Sequence, residues 1–191
     1  MTGTFAFNSF MLGVGLAMDA FSVSLANGLS DPHMKKNTVF LIAGTFGLFQ
    51  AMMPMIGWVS VRRMVRCFQF LTPFIPWISL GLLSLIGGNM IYEGMQGKES
   101  IPGSLEFAVL LMQGVATSID ALSVGFAISP YDFQRAALCS GIIAGVTFLI
   151  CLAGVMLGKR LAAGLSGKAM ILGGTVLILV GIEIFLKSIL K

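Results

Sequence analysis

The chain has 191 residues, 57% hydrophobic and only 10% charged, with a mean hydropathy of +0.95. A soluble domain of this length carries about 25% charged residues, so these few cannot cover a water-facing surface, and an integral membrane protein is expected. The net charge of +4 comes from 12 basic and 8 acidic residues scattered between apolar stretches, too dispersed for a nucleic-acid-binding face.

A spanning helix needs roughly 20 apolar residues. Six such stretches fit, at about 6–29, 38–60, 68–92, 105–128, 136–157 and 169–190. Backbone polar groups cannot be left bare in lipid, so each must be a helix. The predicted fold is an all-α membrane protein of six transmembrane helices, one integral domain over 1–191. The first stretch lacks a basic n-region and contains Asp19, which argues against a cleavable signal. Asp31-Pro32-His33 with Lys35-Lys36 closes it, and His33 reads as a solvated turn residue. The second stretch carries Gln50 near its middle, and Arg62, Arg63 and Arg66 follow as a membrane boundary. The third contains Asn89, and a short polar joint with Lys98 and Glu99 follows it. The fourth carries Thr117, Asp120 and Ser123, and Pro130-Tyr131-Asp132 ends it. In the fifth, Gly141/Gly145 and Gly154/Gly158 have the small-xxx-small spacing of close helix packing, and Lys159-Arg160 opens the next joint. The sixth holds Glu183, four residues before Lys187, so a third carboxylate and a paired or snorkelling role are both open. Cys67, Cys139 and Cys151 have no CxxC spacing and read as apolar filler.

Residues 13–27, GVGLAMDAFSVSLAN, align with 114–128, GVATSIDALSVGFAI, at an offset of 101, pairing Asp19 with Asp120 and Ser22 with Ser123. The offset continues through Gly44/Gly145, Leu48/Leu149, Met55/Met156 and Gly57/Gly158, and an offset of 94 pairs Gly87 with Gly181. Two three-span repeats are predicted, about 5–94 and 105–190. An odd number of spans per half makes the second half enter from the opposite side, the inverted plan of many secondary transporters. The basic residues divide evenly between the two sides, six to six. Only the first helix, with two lysines after it and no basic residue before it, favours an N-terminus outside.

An aspartate at the centre of a span costs about 2.5–3.5 kcal/mol on insertion scales, and such residues usually mark ion or proton routes. Ser22, Ser123 and Thr117 fall on the aspartates' helix faces at three-residue spacing, and Gln50 could add an amide oxygen. Asp19, Asp120, Ser22, Ser123, Gln50 and Thr117 therefore form the candidate metal site. Oxygen ligands suit hard or borderline cations such as Mg, Ca and Mn. Interhelical hydrogen bonding is the simpler role for each of these side chains. Met18, Met52, Met53 and Met55 suit flexible packing better than a Cu(I) path. Asn27 and Asn89, nearer helix ends, could serve as caps. Paired intramembrane aspartates also occur in aspartyl proteases, but Ala17-Met18-Asp19 and Ser118-Ile119-Asp120 lack a GxGD motif. A non-transporting membrane scaffold is a third reading.

Met18-Asp19-Ala20-Phe21 with Ser24, the run Phe46-Gly47 through Gln50 to Met53-Pro54 and Gly57-Trp58, Gly87 to Gly94, and Ser118-Ile119-Asp120-Ala121 with Ser123-Val124-Gly125 together resemble the MntP family of manganese efflux pumps. The resemblance covers nearly the whole chain. It implies a multi-pass exporter of Mn(II) in the bacterial plasma membrane, related to the LysE-type exporters, not an enzyme, and with no cofactor beyond the manganese it carries. Asp19 and Asp120 stand in the family's motifs; Glu183 does not carry over, and the acidic joint often present after the third helix is reduced to Glu99 and its neighbours. The implied partners are Mn(II) and the bilayer, with a homo-oligomer left open. The residues alone point only to a cation favouring oxygen, and an exporter of another divalent metal or of an amino acid is the competing reading. No GxxxxGK[ST] loop is present for direct ATP drive.

Overall fold

The structure is a computed structural model that describes residues 2–63, 75–96, 107–164 and 168–189. It contains α1 (Thr2–Ser30), α2 (Lys36–Arg63), α3 (Ile75–Met95), α4 (Phe107–Ala127), α5 (Phe133–Gly164) and α6 (Ala169–Ile189), with no strand among the described residues. Four segments are long and apolar enough to cross a membrane: Phe5–Ser30, Lys36–Ser60, Phe107–Ala127 and Phe133–Ala162. α3 and α6 contain shorter apolar segments, Leu83–Tyr92 and Ile171–Glu183. The chain is a multi-pass helical membrane protein.

Local chemistry sets the helix ends. Asp31 Oδ1 accepts the backbone N–H of His33 at 3.1 Å, so this buried carboxylate shapes the turn between α1 and α2, in which His33 is exposed. Asp132 Oδ1 accepts the N–H of Arg135 at 3.1 Å and caps the start of α5. The fifth helix runs beyond its expected end. Lys159 and Arg160 lie within α5 and do not open the joint. Lys159 lays its stem along the bundle and donates from Nζ to the Met34 carbonyl at 2.5 Å, which lets a basic residue stay in helix near the membrane edge. Cys67, Arg66, Lys98 and Glu99, and the side chains of Arg62, Arg63 and Lys187, lie outside the described residues.

α1 packs along α5 and α2 along α4, while α3 packs on α6 and α2 also on α5; α1 further touches α6 and α4, and α3 touches α4. α1 and α5 run parallel, since Gly13 lies against Ile143 and Val146 while Gly28 lies against Gly158. α2 and α4 do the same, with Gly114 against Phe49 and Gly57 against Gly125. A Cβ on Gly28 or Gly158 would strike the carbonyl of Val155 or Leu25; on Gly57 or Gly125 it would strike that of Leu122 or Pro54. Only glycine allows backbones to meet this closely. Gly154 also packs on α1, at Phe21 and Ser24, but a Cβ on Gly141 or Gly145 would meet nothing within 4 Å. The packing expected of both glycine pairs in α5 therefore holds for Gly154/Gly158 and fails for Gly141/Gly145, which lie exposed on another face of the same helix.

A buried apolar cluster joins all six helices through Val23, Phe46, Leu83, Leu110, Val155 and Leu177. Phe7, Phe40, Leu85 and Leu149 are exposed instead, an outer surface suited to lipid. Met18 and Met52, 52% and 48% exposed, belong to that surface, so they do not line an internal copper path.

Candidate cation site and its cleft

α1 and α4 face each other in opposite directions, and three observations locate their contact. Gln50, fully buried on α2, donates from Nε2 to the Leu16 carbonyl of α1 at 3.1 Å and to the Thr117 carbonyl of α4 at 3.4 Å. Asn27 of α1 and Gln113 of α4 form a two-way amide pair: Asn27 Nδ2 donates to Gln113 Oε1 at 2.8 Å, and Gln113 Nε2 donates to Asn27 Oδ1 at 3.1 Å. An open cleft of about 580 Å³ is lined by Asn8, Met11, Leu12, Gly15 and Leu16 of α1 with Val124 of α4. Moving up α1 from the cleft to Leu16 and then Asn27 thus means moving down α4 from Val124 to Thr117 and then Gln113.

Both aspartates lie between the cleft and the amide pair. Asp19 is three residues beyond Leu16, and Asp120 is three beyond Thr117. Asn8, Leu12, Gly15 and Asp19 follow a four-three-four spacing, as do Gln113, Thr117, Asp120 and Val124. That spacing keeps each set on one helix face. Asp19 is 8% exposed, whereas Asp120 is exposed. Gly15 leaves its place on the α1 stripe open, since a Cβ there would meet nothing within 4 Å.

Gln50 has a further property. A carbonyl only accepts, so binding two of them commits the side-chain amide to presenting its nitrogen. Its Oε1 is left buried and without a hydrogen-bond partner. Pro54 stands four residues later inside α2, and proline has no N–H, so the Gln50 main-chain carbonyl also forgoes its helical donor. One residue thus presents a buried side-chain oxygen with no donor, and a main-chain oxygen without its usual helical N–H, beside the meeting point of α1 and α4.

The hydroxyls are set differently. Thr117 is buried and donates to the Gln113 carbonyl at 2.9 Å; Ser22 is half-buried and donates to the Met18 carbonyl at 3.1 Å. Such back-bonding uses the hydroxyl proton and leaves lone pairs on the oxygen. Ser123 is exposed. Among the described residues no group of three or more His, Cys, Asp or Glu could hold a metal ion. Any cation here would need neutral oxygens as well as carboxylates. Glu183 and Asn89 are both exposed. Asn27 is neither cap nor free end; its partner Gln113 was not among the residues singled out by sequence. Its signal was available, because Gln113 begins the polar stripe that leads to Asp120.

A family sequence model described as "Putative manganese efflux pump" matches residues 33–185. The chain belongs to this family. A protein of Gloeothece citriformis named "Putative manganese efflux pump MntP" is 43% identical, over 93% of this chain and 93% of that one. Proteins bearing the same name from Methanosarcina mazei and Methanothermobacter thermautotrophicus are 40% and 39% identical. They cover 92% and 94% of this chain, and 93% and 95% of their own lengths. No solved structure matches the chain. The family is one of transporters, not enzymes, which removes the intramembrane protease reading.

Proposed function

We propose that the protein exports manganese(II) across the plasma membrane by alternating access, with the cation held between Asp19 and Asp120. The observation that carries this reading is the bridge made by Gln50. It joins the carbonyls of Leu16 and Thr117 on antiparallel helices, so Asp19 and Asp120 stand three residues to either side of the bridge, about 9 Å apart along the helix axes. Two carboxylates balance a divalent charge. Gln50 Oε1, the Gln50 main-chain carbonyl and the oxygens of Thr117, Ser22 and Ser123 supply the neutral ligands that a borderline cation accepts. The outward direction and the metal come from the relatives' names. Export lowers cellular manganese only at the membrane that bounds the cell, which sets the location. Protons taking the cation's place on the carboxylates supply the counter-movement.

The inverted repeat is part of the same reading. Leu16 and Thr117 stand at the offset of 101, so Gln50 joins equivalent positions of the two halves. α1 lies parallel to α5 as α4 does to α2, with Gly158 and Gly57, again equivalent, at the closest approaches. In α3 and α6, Gly87 packs at Gly174 and Gly181 packs at Leu80, the exchange expected from an offset of 94.

The test is manganese efflux. Asp19→Ala and Asp120→Ala variants should each lose manganese tolerance in cells while staying in the membrane, and full tolerance in the double variant would remove the site. Purified protein in vesicles should move Mn(II) faster than empty vesicles do. If another divalent metal or an amino acid moves and Mn(II) does not, the cargo is that solute instead.

A further inference from the structure

The path between α1 and α4 differs at its two ends. Toward the start of α1 it opens into the cleft of about 580 Å³ beside Leu12, Gly15 and Val124. Toward the end of α1, Asn27 and Gln113 close it with two hydrogen bonds, and both side chains are buried, at 1% and 0% exposure. Asn27 lies eight residues past Asp19, about 12 Å along the helix. A second asymmetry accompanies the first. Gly158 of α5 meets Gly28 of α1, but its equivalent Gly57 of α2 meets Gly125 of α4, not Ser129, the residue equivalent to Gly28. The two matching interfaces are thus out of register by four residues, one helical turn or about 6 Å.

We propose that the Asn27–Gln113 pair is the latch of a gate, and that the structure is one of two states related by exchange of the two halves. This rests on the inverted-repeat reading. In the exchanged state the latch parts, α1 shifts to bring Ser24 opposite Gly158, and α4 shifts to bring Ser129 opposite Gly57. Both incoming residues are small, but each carries a Cβ, so the exchanged contacts sit wider than the glycine contacts they replace. One-turn steps of this kind are a known form of switching between packed helices. The far end, at the equivalent positions Leu12 and Ile128, is apolar, so the hydrogen-bonded lock exists at one end only. An amide pair suits a gate next to a cation path, because it can be broken and remade without burying a charge.

The latch is tested by distances across each end, in the full chain in lipid with Cys67, Cys139 and Cys151 replaced by Ala. Spin labels at His33→Cys and Phe107→Cys report the latched end, and labels at Phe7→Cys and Ala127→Cys the other. In the starting protein the first distance should be short and narrowly distributed. The Asn27→Leu/Gln113→Leu pair keeps similar bulk without the hydrogen bonds. It should raise the open fraction at the latched end roughly tenfold, the effect of two intramembrane hydrogen bonds, while narrowing the other end. A second variant, Gln113→Glu, keeps both hydrogen bonds when protonated and loses one when ionised, so its latched end should be closed in acid and open as pH rises. Unchanged distances in the leucine pair, equal loosening of both ends, or a Gln113→Glu distance indifferent to pH each overturn the latch. The distances are read without metal, so they judge the latch independently of whether the cargo is manganese. Leucine-pair opening without closure of the other end would keep the latch and remove the two-state exchange.

Discussion

Gln50 is the residue at which local and tertiary chemistry meet. Its nitrogen is held by two helices, which leaves Oε1 inward and unsatisfied, and Pro54 frees its main-chain oxygen. An interior helical proline costs about 3 kcal/mol. Pro54→Ala should therefore raise the thermal unfolding temperature in detergent, because the α2 ladder is restored. If the freed carbonyl binds the cation, the same substitution should lower Mn(II) transport about tenfold, the smaller end of the range for lost support around a metal. A variant that is more stable and transports normally would show that the proline serves packing only. Gln50→Leu removes both donor contacts, and each intramembrane hydrogen bond is worth about 0.6 kcal/mol. A modest fall in stability with a larger loss of transport is expected; equal losses in both would assign Gln50 to structure.

At the scale of helices, glycines divide into two groups by what surrounds them. Gly28, Gly158, Gly57 and Gly125 lie where a Cβ would meet backbone, which cannot give way. Gly44, Gly141 and Gly145 have open space. Alanine at any of the first four should separate α1 from α5 or α2 from α4 and lower the unfolding temperature by several degrees. Alanine at Gly44 or Gly145 should leave it unchanged or slightly raised, because alanine is favoured over glycine in a helix by about 1 kcal/mol. A uniform response across both groups would contradict the close approaches. Gly15 belongs to the second group but for a different reason. It is open because it borders the cleft, so Gly15→Leu should leave folding intact and obstruct transport, measured by Mn(II) flux in vesicles.

For the whole molecule, the expected cycle couples cation release to proton uptake on Asp19 and Asp120. Efflux in vesicles should then respond to an imposed proton gradient and fall when an ionophore collapses it. A rate indifferent to the gradient would leave cation export standing and remove the proton as counter-ion.

Six apolar stretches, the oxygen-rich pair of aspartates and the duplicated segment were all legible from the chain itself. Hydropathy over a span and the cost of a buried carboxylate are properties of local sequence, so α1, α2, α4 and α5 lie where they were expected. The end of α5 was misjudged because Lys159 finds its hydrogen bond at Met34, 125 residues away in sequence. Small-residue spacing likewise could not say that Gly154 and Gly158 pack while Gly141 and Gly145 do not, since spacing names a face and not its neighbour. Asn27 looked like a helix end because its partner comes from another helix. The residue types and their periodicity determined that the protein spans a membrane and sets an aspartate at the same place in two similar apolar segments. Tertiary structure alone decided which end of the path is shut, because closure depends on amides brought together from helices 86 residues apart.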